Sequence, residues 1–256
     1  MATDTTPATT TSLPHTILPR SARVNAAGHL EIGGCDTLEL ARRYGTPLYV
    51  FDEGEIRRRC RAVVDAFRSA YPESLPIYAS KAYLDPTVAR IVAAEGMGLD
   101  VVSAGEIAVA HRAGFPLERA YFHGNNKGAE ELALALDLGV GHIVVDNFHE
   151  IELLEAVAAQ QGRRARALLR VSPGVEAHTH DYLKTGILDT KFGVPLATGQ
   201  AAEAVARPRG APAAGAARRG DRRPAACAER GVGVVVPAAR RAGDGARRFH
   251  RCSARH

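Results

Sequence analysis

Tryptophan is absent from this sequence of 256 residues, and cysteine occurs only four times. The cysteines, Cys35, Cys60, Cys227 and Cys252, show no CxxC spacing, so the common zinc and dithiol motifs are excluded. No apolar run approaches the roughly 18 residues of a membrane span, and the first residues lack the basic-then-apolar pattern of a secretory signal. We therefore expect a cytoplasmic protein with no metal site and no membrane partner.

The formal net charge of +5 comes from the last part of the chain, because acidic residues outnumber basic ones in the larger part. Residues 207–256 hold 13 of the 33 basic residues and 3 of the 28 acidic ones, so residues 1–206 have a net charge of −5. The basic segment has no lysine and a single phenylalanine. It therefore lacks the interleaved lysines and aromatic rings that favour nucleic-acid binding, and we expect no nucleic-acid partner.

Short apolar runs typical of strands recur every 20 to 25 residues in the middle of the chain. Each pair of runs is separated by a segment with apolar residues at i, i+3 and i+4, the spacing of an amphipathic helix. This alternation predicts an α/β fold with a parallel sheet, either doubly wound or closed into a barrel. The predicted strands span 75–80, 99–103, 119–124, 142–147 and 166–172.

Two features favour the barrel. No GxGxxG turn follows the first of these strands, where YASKAYLDP stands instead, so the dinucleotide-binding pattern is missing. Polar side chains also follow the carboxyl end of every strand, where a barrel forms its pocket. These residues are Lys81, Ser103, His123, Asp146 and Arg170, each of which has an ordinary loop position as its alternative explanation.

The two ends of the chain differ from this body. Residues 1–27 are rich in Thr, Ala and Pro, and we expect them to be disordered. Residues 47–51 are predicted to form a strand, and a helix capped by Asp52 is predicted to run to about residue 70.

The segment 207–256 contains no Leu, Ile, Tyr, Asn or Lys. A disordered basic tail would explain this composition. A shifted reading frame explains it better, because Ala, Arg, Gly and Pro belong to codon families built from G and C, and the change at residue 207 is abrupt.

Lys81 has a specific chemical use at the end of a barrel strand. Its amine, when partly desolvated, can form a Schiff base with a carbonyl, and pyridoxal phosphate is the commonest carbonyl cofactor held in this way. Position alone favours a surface lysine, because a lysine at a strand end is more often a surface charge.

Five stretches in order carry a resemblance: GTPLYVFDEG, IYASKAYLDP, LDVVSAGE, YFHGNNKG and HTHDYLKTG. Together, over roughly residues 28–206, they resemble the barrel-type pyridoxal phosphate-dependent decarboxylases, and the diaminopimelate branch more than the ornithine branch. The resemblance implies a partial (β/α)8 barrel at 53–206, with residues 28–52 beginning a second, β-rich domain.

The same resemblance implies roles for individual residues. Lys81 would hold pyridoxal 5'-phosphate, and Asp100, Glu106, His123 and Arg170 would lie near it. The implied reaction converts the amino acid meso-2,6-diaminopimelate to L-lysine in a homodimer. Structural alternatives are a strand-start carboxylate for Asp100, a helix-first-turn carboxylate for Glu106 and a loop ion pair for Arg170. We place Lys127 on the surface at a helix start.

Parts of the family pattern have no match in this sequence. A strand with an HCHIGS-like histidine, a Gly-rich phosphate turn and an interface cysteine are all missing. Five strands and an unfinished sixth cannot close an eight-stranded barrel, so we expect the chain as written to fold poorly and to show little decarboxylase activity.

Other functions remain open at this stage. A decarboxylase of ornithine, arginine or carboxynorspermidine would share the cofactor. A non-catalytic pyridoxal phosphate-binding barrel is a further alternative, although GTPLYVFDEG supplies a segment that such proteins lack.

Overall fold

The structure is a computed structural model that describes residues 17–173 and 192–206. The chain divides into two compact units, whose described parts are 17–70 in the first and 71–173 with 192–206 in the second. The expectations for the segment 207–256 and the motif HTHDYLKTG at 178–186 lie outside the described residues. The domain boundary at residue 52 stays a prediction.

The first unit holds a three-stranded antiparallel sheet in the order β1-β2-β3 and two helices. The helix that follows β3 is capped by Asp36, whose carboxylate accepts a hydrogen bond from the Leu38 N–H at 2.8 Å. The hydrogen bond from His29 is the main cause that lowers the pKa of Asp36 to about 2. The elements are β1 (Arg23–Val24), β2 (Leu30–Ile32), β3 (Cys35–Asp36), α1 (Thr37–Tyr44) and α2 (Glu53–Ala70).

Two expectations for this unit need correction. β1 falls inside the range 1–27 that composition led us to expect disordered; it is ordered by pairing with β2. Residues 47–51 form no strand, because the ladder of this unit is made by β1 to β3 and an apolar run becomes a strand only beside a partner. The predicted helix is confirmed as α2, with the Asp52 carboxylate accepting from the Glu55 N–H at 3.0 Å.

The second unit contains a five-stranded parallel sheet whose spatial order, β4 to β8, is the order of the chain. Every predicted strand and every helix between them is confirmed. The strands are β4 (Ile77–Ala79), β5 (Gly98–Val101), β6 (Ala120–Phe122), β7 (His142–Val145) and β8 (Ala167–Leu169). The helices are α3 (Pro86–Ala94), α4 (Ala104–Arg112), α5 (Ala129–Asp137) and α6 (Phe148–Gln160).

The unbroken strand order distinguishes a barrel from a doubly wound sheet. Crossover connections between parallel strands are right-handed, so an order that never reverses places all the helices on the same side. Consistent with this, α3 contacts α4, α4 contacts α5, and α5 contacts α6. A parallel sheet in chain order with its helices on one side is the arrangement found in a (β/α) barrel, and the described strands are a part of such a barrel.

The strand register separates an apolar face from a polar one. Leu99 pairs with Ala120, and Val101 pairs with Phe122; all four residues are 0% exposed. The alternate positions, which carry their side chains to the opposite face, form a row across four strands. This row is Ala79, Asp100, Tyr121 and His142, and the rings of Tyr121 and His142 stack 4.6 Å apart.

A separate two-stranded parallel ladder follows β8. The chain continues from β8 through Arg170 into β9 (Val171–Ser172), which pairs in parallel with β10 (Val194–Pro195), and α7 (Gln200–Ala206) follows. Arg170 joins the two ladders, since its N–H donates to Val145 and its carbonyl accepts from Val194, both at 2.9 Å. Among the helices of residues 17–173 and 192–206, none is long and apolar enough to cross a membrane.

Gly141 marks a close backbone approach just before β7. Its N–H donates to the carbonyl of Leu117 at 2.8 Å, and a Cβ at this position would lie 2.0 Å from the carbonyl oxygen of Glu118. No side chain fits there without displacement of the backbone that leads into β6.

We therefore expect Gly141→Ala to lower the free energy of unfolding by about 2 kcal/mol or more, in the range of overpacked sites. Gly105→Ala is the matched control, because Gly105 lies in α4 and its Cβ would meet nothing closer than 3.8 Å. That substitution should raise the stability by about 0.5–1 kcal/mol. Urea denaturation measures both changes, and equal effects would contradict the close approach.

Candidate active site

Lys81 lies in a single 3-10 turn, Ser80–Ala82, directly after β4. The turn is held on both sides: the hydroxyl of the buried Ser80 donates to the carbonyl of Asp100 at 2.5 Å, and the Tyr78 hydroxyl donates to the carbonyl of Tyr83 at 2.7 Å. The Lys81 residue itself is exposed. The fold therefore fixes the backbone under this lysine and leaves its side chain accessible at the strand end.

His123 follows β6, the third strand of the sheet, and the backbone N–H of His123 donates a hydrogen bond to the carbonyl of Val101 at 2.8 Å. Burial, the largest cause, and the positive charge of Arg170 lower the pKa of His123 to about 4. The charges of Lys127 and Lys81 act in the same direction. The fold thus brings the ends of β4, β6 and β8 close enough for their charged groups to interact, and it keeps His123 neutral near pH 7.

Arg170 stands at the junction of β8 and β9. Its guanidinium Nη1 lies 3.3 Å from Oδ1 of Asp146, which is buried, and its Cζ lies 4.4 Å from the centre of the Phe192 ring. The second carboxylate oxygen of Asp146 accepts a hydrogen bond from the Gly193 N–H at 3.0 Å. The loop ion pair that we considered for Arg170 is therefore present.

Lys127 is buried, contrary to the expectation that it lies on the surface. Its side chain is 1% exposed, and Nζ forms an ion pair of 2.5 Å with Glu150 and hydrogen bonds to the carbonyls of Gly124 and Val144. Burial lowers the pKa of Lys127, and the interaction with Glu150 opposes this shift. Burial likewise raises the pKa of Glu150, and the interaction with Lys127 opposes that shift. A lysine whose ammonium has three close acceptors can be enclosed, because each partner replaces a lost water contact.

Asp100 and Glu106 lie in the second strand of the sheet and in the helix that follows it. Asp100 lies in β5 on the polar face of the sheet, between Ala79 and Tyr121. Glu106 is in the first turn of α4, and its Oε2 accepts a hydrogen bond from the Val102 N–H at 2.5 Å. The helix-first-turn explanation for Glu106 is thus realised, and the cofactor roles of both residues stay predictions.

Sequence reasoning missed the buried pair of Lys127 and Glu150. A signal for Glu150 was present, because Asn147 and Glu150 have the N-cap and N3 spacing of a capping box. Asn147 indeed caps α6, and Glu150 accepts from the Asp146 N–H at 3.2 Å. No local pattern marks Lys127, whose burial depends on residues far along the chain. Within 17–173 and 192–206, no group of three or more potential ligands is placed to hold a metal ion.

The low pKa of His123 predicts a pH dependence of stability. The ordinary pKa of histidine is near 6.5, so between about pH 4 and 6.5 the unfolded chain binds more protons than the folded chain. Stability should therefore rise with pH across this window and gain nothing from His123 above it. NMR titration of the imidazole carbons measures the pKa, and His123→Gln should remove this part of the pH dependence. A midpoint near 6.5 in the folded chain would contradict the buried, cationic surroundings.

The ion pair of Lys127 and Glu150 predicts an asymmetric mutational response. Lys127→Met leaves the buried Glu150 carboxylate without its cation and should cost about 3–5 kcal/mol of stability. Adding Glu150→Gln should recover part of this loss, because a neutral amide is cheaper to bury than a charge. Thermal denaturation of the single and double variants measures the recovery, and a double variant less stable than Lys127→Met would argue against the pair.

Comparison with known proteins places this geometry in a family. Residues 53–211 match the family model described as pyridoxal-dependent decarboxylase, pyridoxal binding domain. The chain is similar to diaminopimelate decarboxylase from Bacillus subtilis, with 52% identity over 72% of this chain, and from Bacillus methanolicus, with 49% identity over 72%. The alignments include 42% and 43% of those proteins, so the chain spans about two fifths of the length of these relatives.

A solved structure shows the same likeness. The fold is similar to that of diaminopimelate decarboxylase from M. jannaschii in complex with L-lysine, with a TM-score of 0.64 and 30% identity, over 73% of this chain and 44% of that one. The strand order and the matched range both agree with a pyridoxal-binding barrel. The chain belongs to the pyridoxal-dependent decarboxylase family.

Proposed function

We propose that this chain carries the cofactor-binding part of a diaminopimelate decarboxylase, which releases carbon dioxide from meso-2,6-diaminopimelate to give L-lysine. The observation that carries the proposal is the exposed Lys81, in a turn fixed by Ser80 and Tyr78, whose charge acts together with that of Arg170 to lower the pKa of His123. The relatives named diaminopimelate decarboxylase support the substrate. We further propose the homodimer and cytoplasmic location that the motif resemblance implies.

The side chains at the strand ends fit pyridoxal 5'-phosphate by their chemistry. The aldehyde of the cofactor forms a Schiff base with a primary amine, and the exposed Lys81 supplies such an amine. An anionic cofactor is favoured by positive charge, and Lys81, Lys127 and Arg170 act together on the single residue His123. The cofactor, when bound, supplies an electron sink for the charge that decarboxylation leaves on the substrate carbon.

The chain's own residues bind and orient the reactants. Lys81 would hold the cofactor, and its amine would be available to move a proton at the reacting carbon. The buried Asp146 holds Arg170 at the strand end, so this cation is placed in advance. His123 adds no positive charge near pH 7 and leaves an uncharged nitrogen available to accept or donate a hydrogen bond.

The charge at the strand ends discriminates among the candidate substrates by their distal groups. Diaminopimelate has two carboxylates and two ammonium groups and hence no net charge, and loss of one carboxylate as carbon dioxide leaves a cationic product that Lys81 and Arg170 repel. The distal group of diaminopimelate is a zwitterion, whereas those of ornithine and arginine are cationic and are repelled by the same side chains.

Chemical trapping tests the role of Lys81. The chain is incubated with pyridoxal phosphate, reduced with borohydride and digested, and the peptide that contains Lys81 should carry the pyridoxyl phosphate group. Lys127 is an internal control, because its amine is enclosed by Glu150 and two carbonyls and should stay unlabelled. Lys81→Ala should abolish the label. Equal labelling of the two lysines would sink the assignment.

Substrate choice is measured separately by release of labelled carbon dioxide from meso-diaminopimelate, ornithine and arginine, with long incubation because we expect the chain as written to show little activity. Turnover of diaminopimelate above the other two supports the proposed substrate. Preference for ornithine or arginine would replace it with another basic amino acid while leaving the role of Lys81 intact.

A further inference from the structure

Asp146 joins two parts of the sheet that are far apart in the chain. It follows β7, is 3% exposed, and uses one carboxylate oxygen for Arg170 at 3.3 Å and the other for the Gly193 N–H at 3.0 Å. Arg170 in turn lies over the ring of Phe192. One buried carboxylate therefore holds the guanidinium and the backbone that leads into β10.

The backbone at Gly193 packs closely against the strand that carries Arg170. Its φ of +76° is in the left-handed region that favours glycine, and a Cβ there would lie 3.1 Å from the carbonyl carbon of Val171 and 3.2 Å from the carbonyl oxygen of Arg170. The segment 192–193 thus presses directly on the strand that carries Arg170. A shift of either segment would move the other.

The backbone of Asp146 is itself held by Glu150. Its N–H donates to Oε2 of Glu150, the residue that is ion-paired with Lys127. Lys127 extends the connection to the carbonyls of Gly124, beside His123, and Val144 in β7. A chain of buried contacts therefore runs from the β6 end, through the ion pair, to Asp146 and Arg170.

We propose that Asp146, supported by the Lys127–Glu150 pair, is a positioning residue that sets the place of Arg170 and of the Phe192–Gly193 segment for cofactor binding. The part that concerns the cofactor rests on the proposed function. Asp146 acts through Arg170, and its isosteric variant Asp146→Asn cannot serve both donors, because an amide offers one acceptor oxygen and turns an NH₂ group toward the other.

Amide exchange and NMR of the chain without cofactor give the first measurement. In Asp146→Asn the Gly193 amide should exchange about 10-fold faster or more, as expected for loss of a hydrogen bond to a charged group, and the Arg170 Nε resonance should shift. Asp146→Glu keeps the charge but lengthens the side chain, and it should move both signals in the same direction. It also serves if Asp146→Asn does not fold. Unchanged Gly193 and Arg170 signals in the folded variants would overturn the proposal.

The matched control is Glu131→Gln. Glu131 occupies in α5 the position that Glu150 has in α6, three residues after the N-cap, and accepts from the N–H groups of Ala104 and Gly128. The substitution changes a carboxylate at a helix start without touching Asp146. It should leave the exchange of the Gly193 amide and the Arg170 resonance at their original values; a change as large as that in Asp146→Asn would show general loosening and overturn the proposal.

A double-mutant cycle on the pyridoxal phosphate Kd gives the second measurement. Asp146→Asn and Arg170→Lys should each raise the Kd about 10-fold, and the double variant should be little weaker than either, because both changes remove one placed guanidinium. Multiplied effects, about 100-fold in the double variant, would mean that Asp146 does not act through Arg170. If the unmodified chain binds no pyridoxal phosphate, the proposed function fails by itself, and the exchange and NMR measurements still decide the positioning role.

Discussion

The strand-end surface of the second unit depends on one buried ion pair, between Lys127 and Glu150. Both side chains are almost fully enclosed, at 1% and 3% exposure, so each charge has lost its water and must be compensated by the other. The ammonium also binds the carbonyls of Gly124 and Val144, and the carboxylate binds the Asp146 N–H. These contacts tie the loop after β6, the strand β7 and the start of α6 into one arrangement, on which the positions of Asp146 and Arg170 rest.

This arrangement explains how several cations coexist at one end of the sheet. Lys127 is compensated by Glu150 and Arg170 by Asp146, whereas the amine of Lys81 is exposed. Their combined field, added to burial, holds His123 neutral. The result is a strand-end surface that combines an exposed amine, a guanidinium held by a carboxylate and a neutral imidazole.

Much of the fold was predictable because it depends on local patterns. The alternation of apolar strands and amphipathic helices located β4 to β8 and the helices between them, and polar residues at the strand ends located Lys81, His123 and Arg170. The strand predicted at 47–51 was wrong, because an apolar run shows only that a segment can pair, and its partners in the sheet of that unit are decided by the rest of the chain. The burial of Lys127 was missed for the same reason, since Glu150 and Val144 lie far from it along the sequence.

The sequence by itself determined the βα order, the lysine after β4 and the resemblance to a decarboxylase family, because periodicity and motif spacing are properties of neighbouring residues. Only the tertiary structure decided which charges are paired, that Asp146 links Arg170 to Gly193, and that His123 is neutral. The physical reason is that hydrogen-bond partners and desolvation depend on distances in space, and these distances are set when strands from separate parts of the chain come side by side.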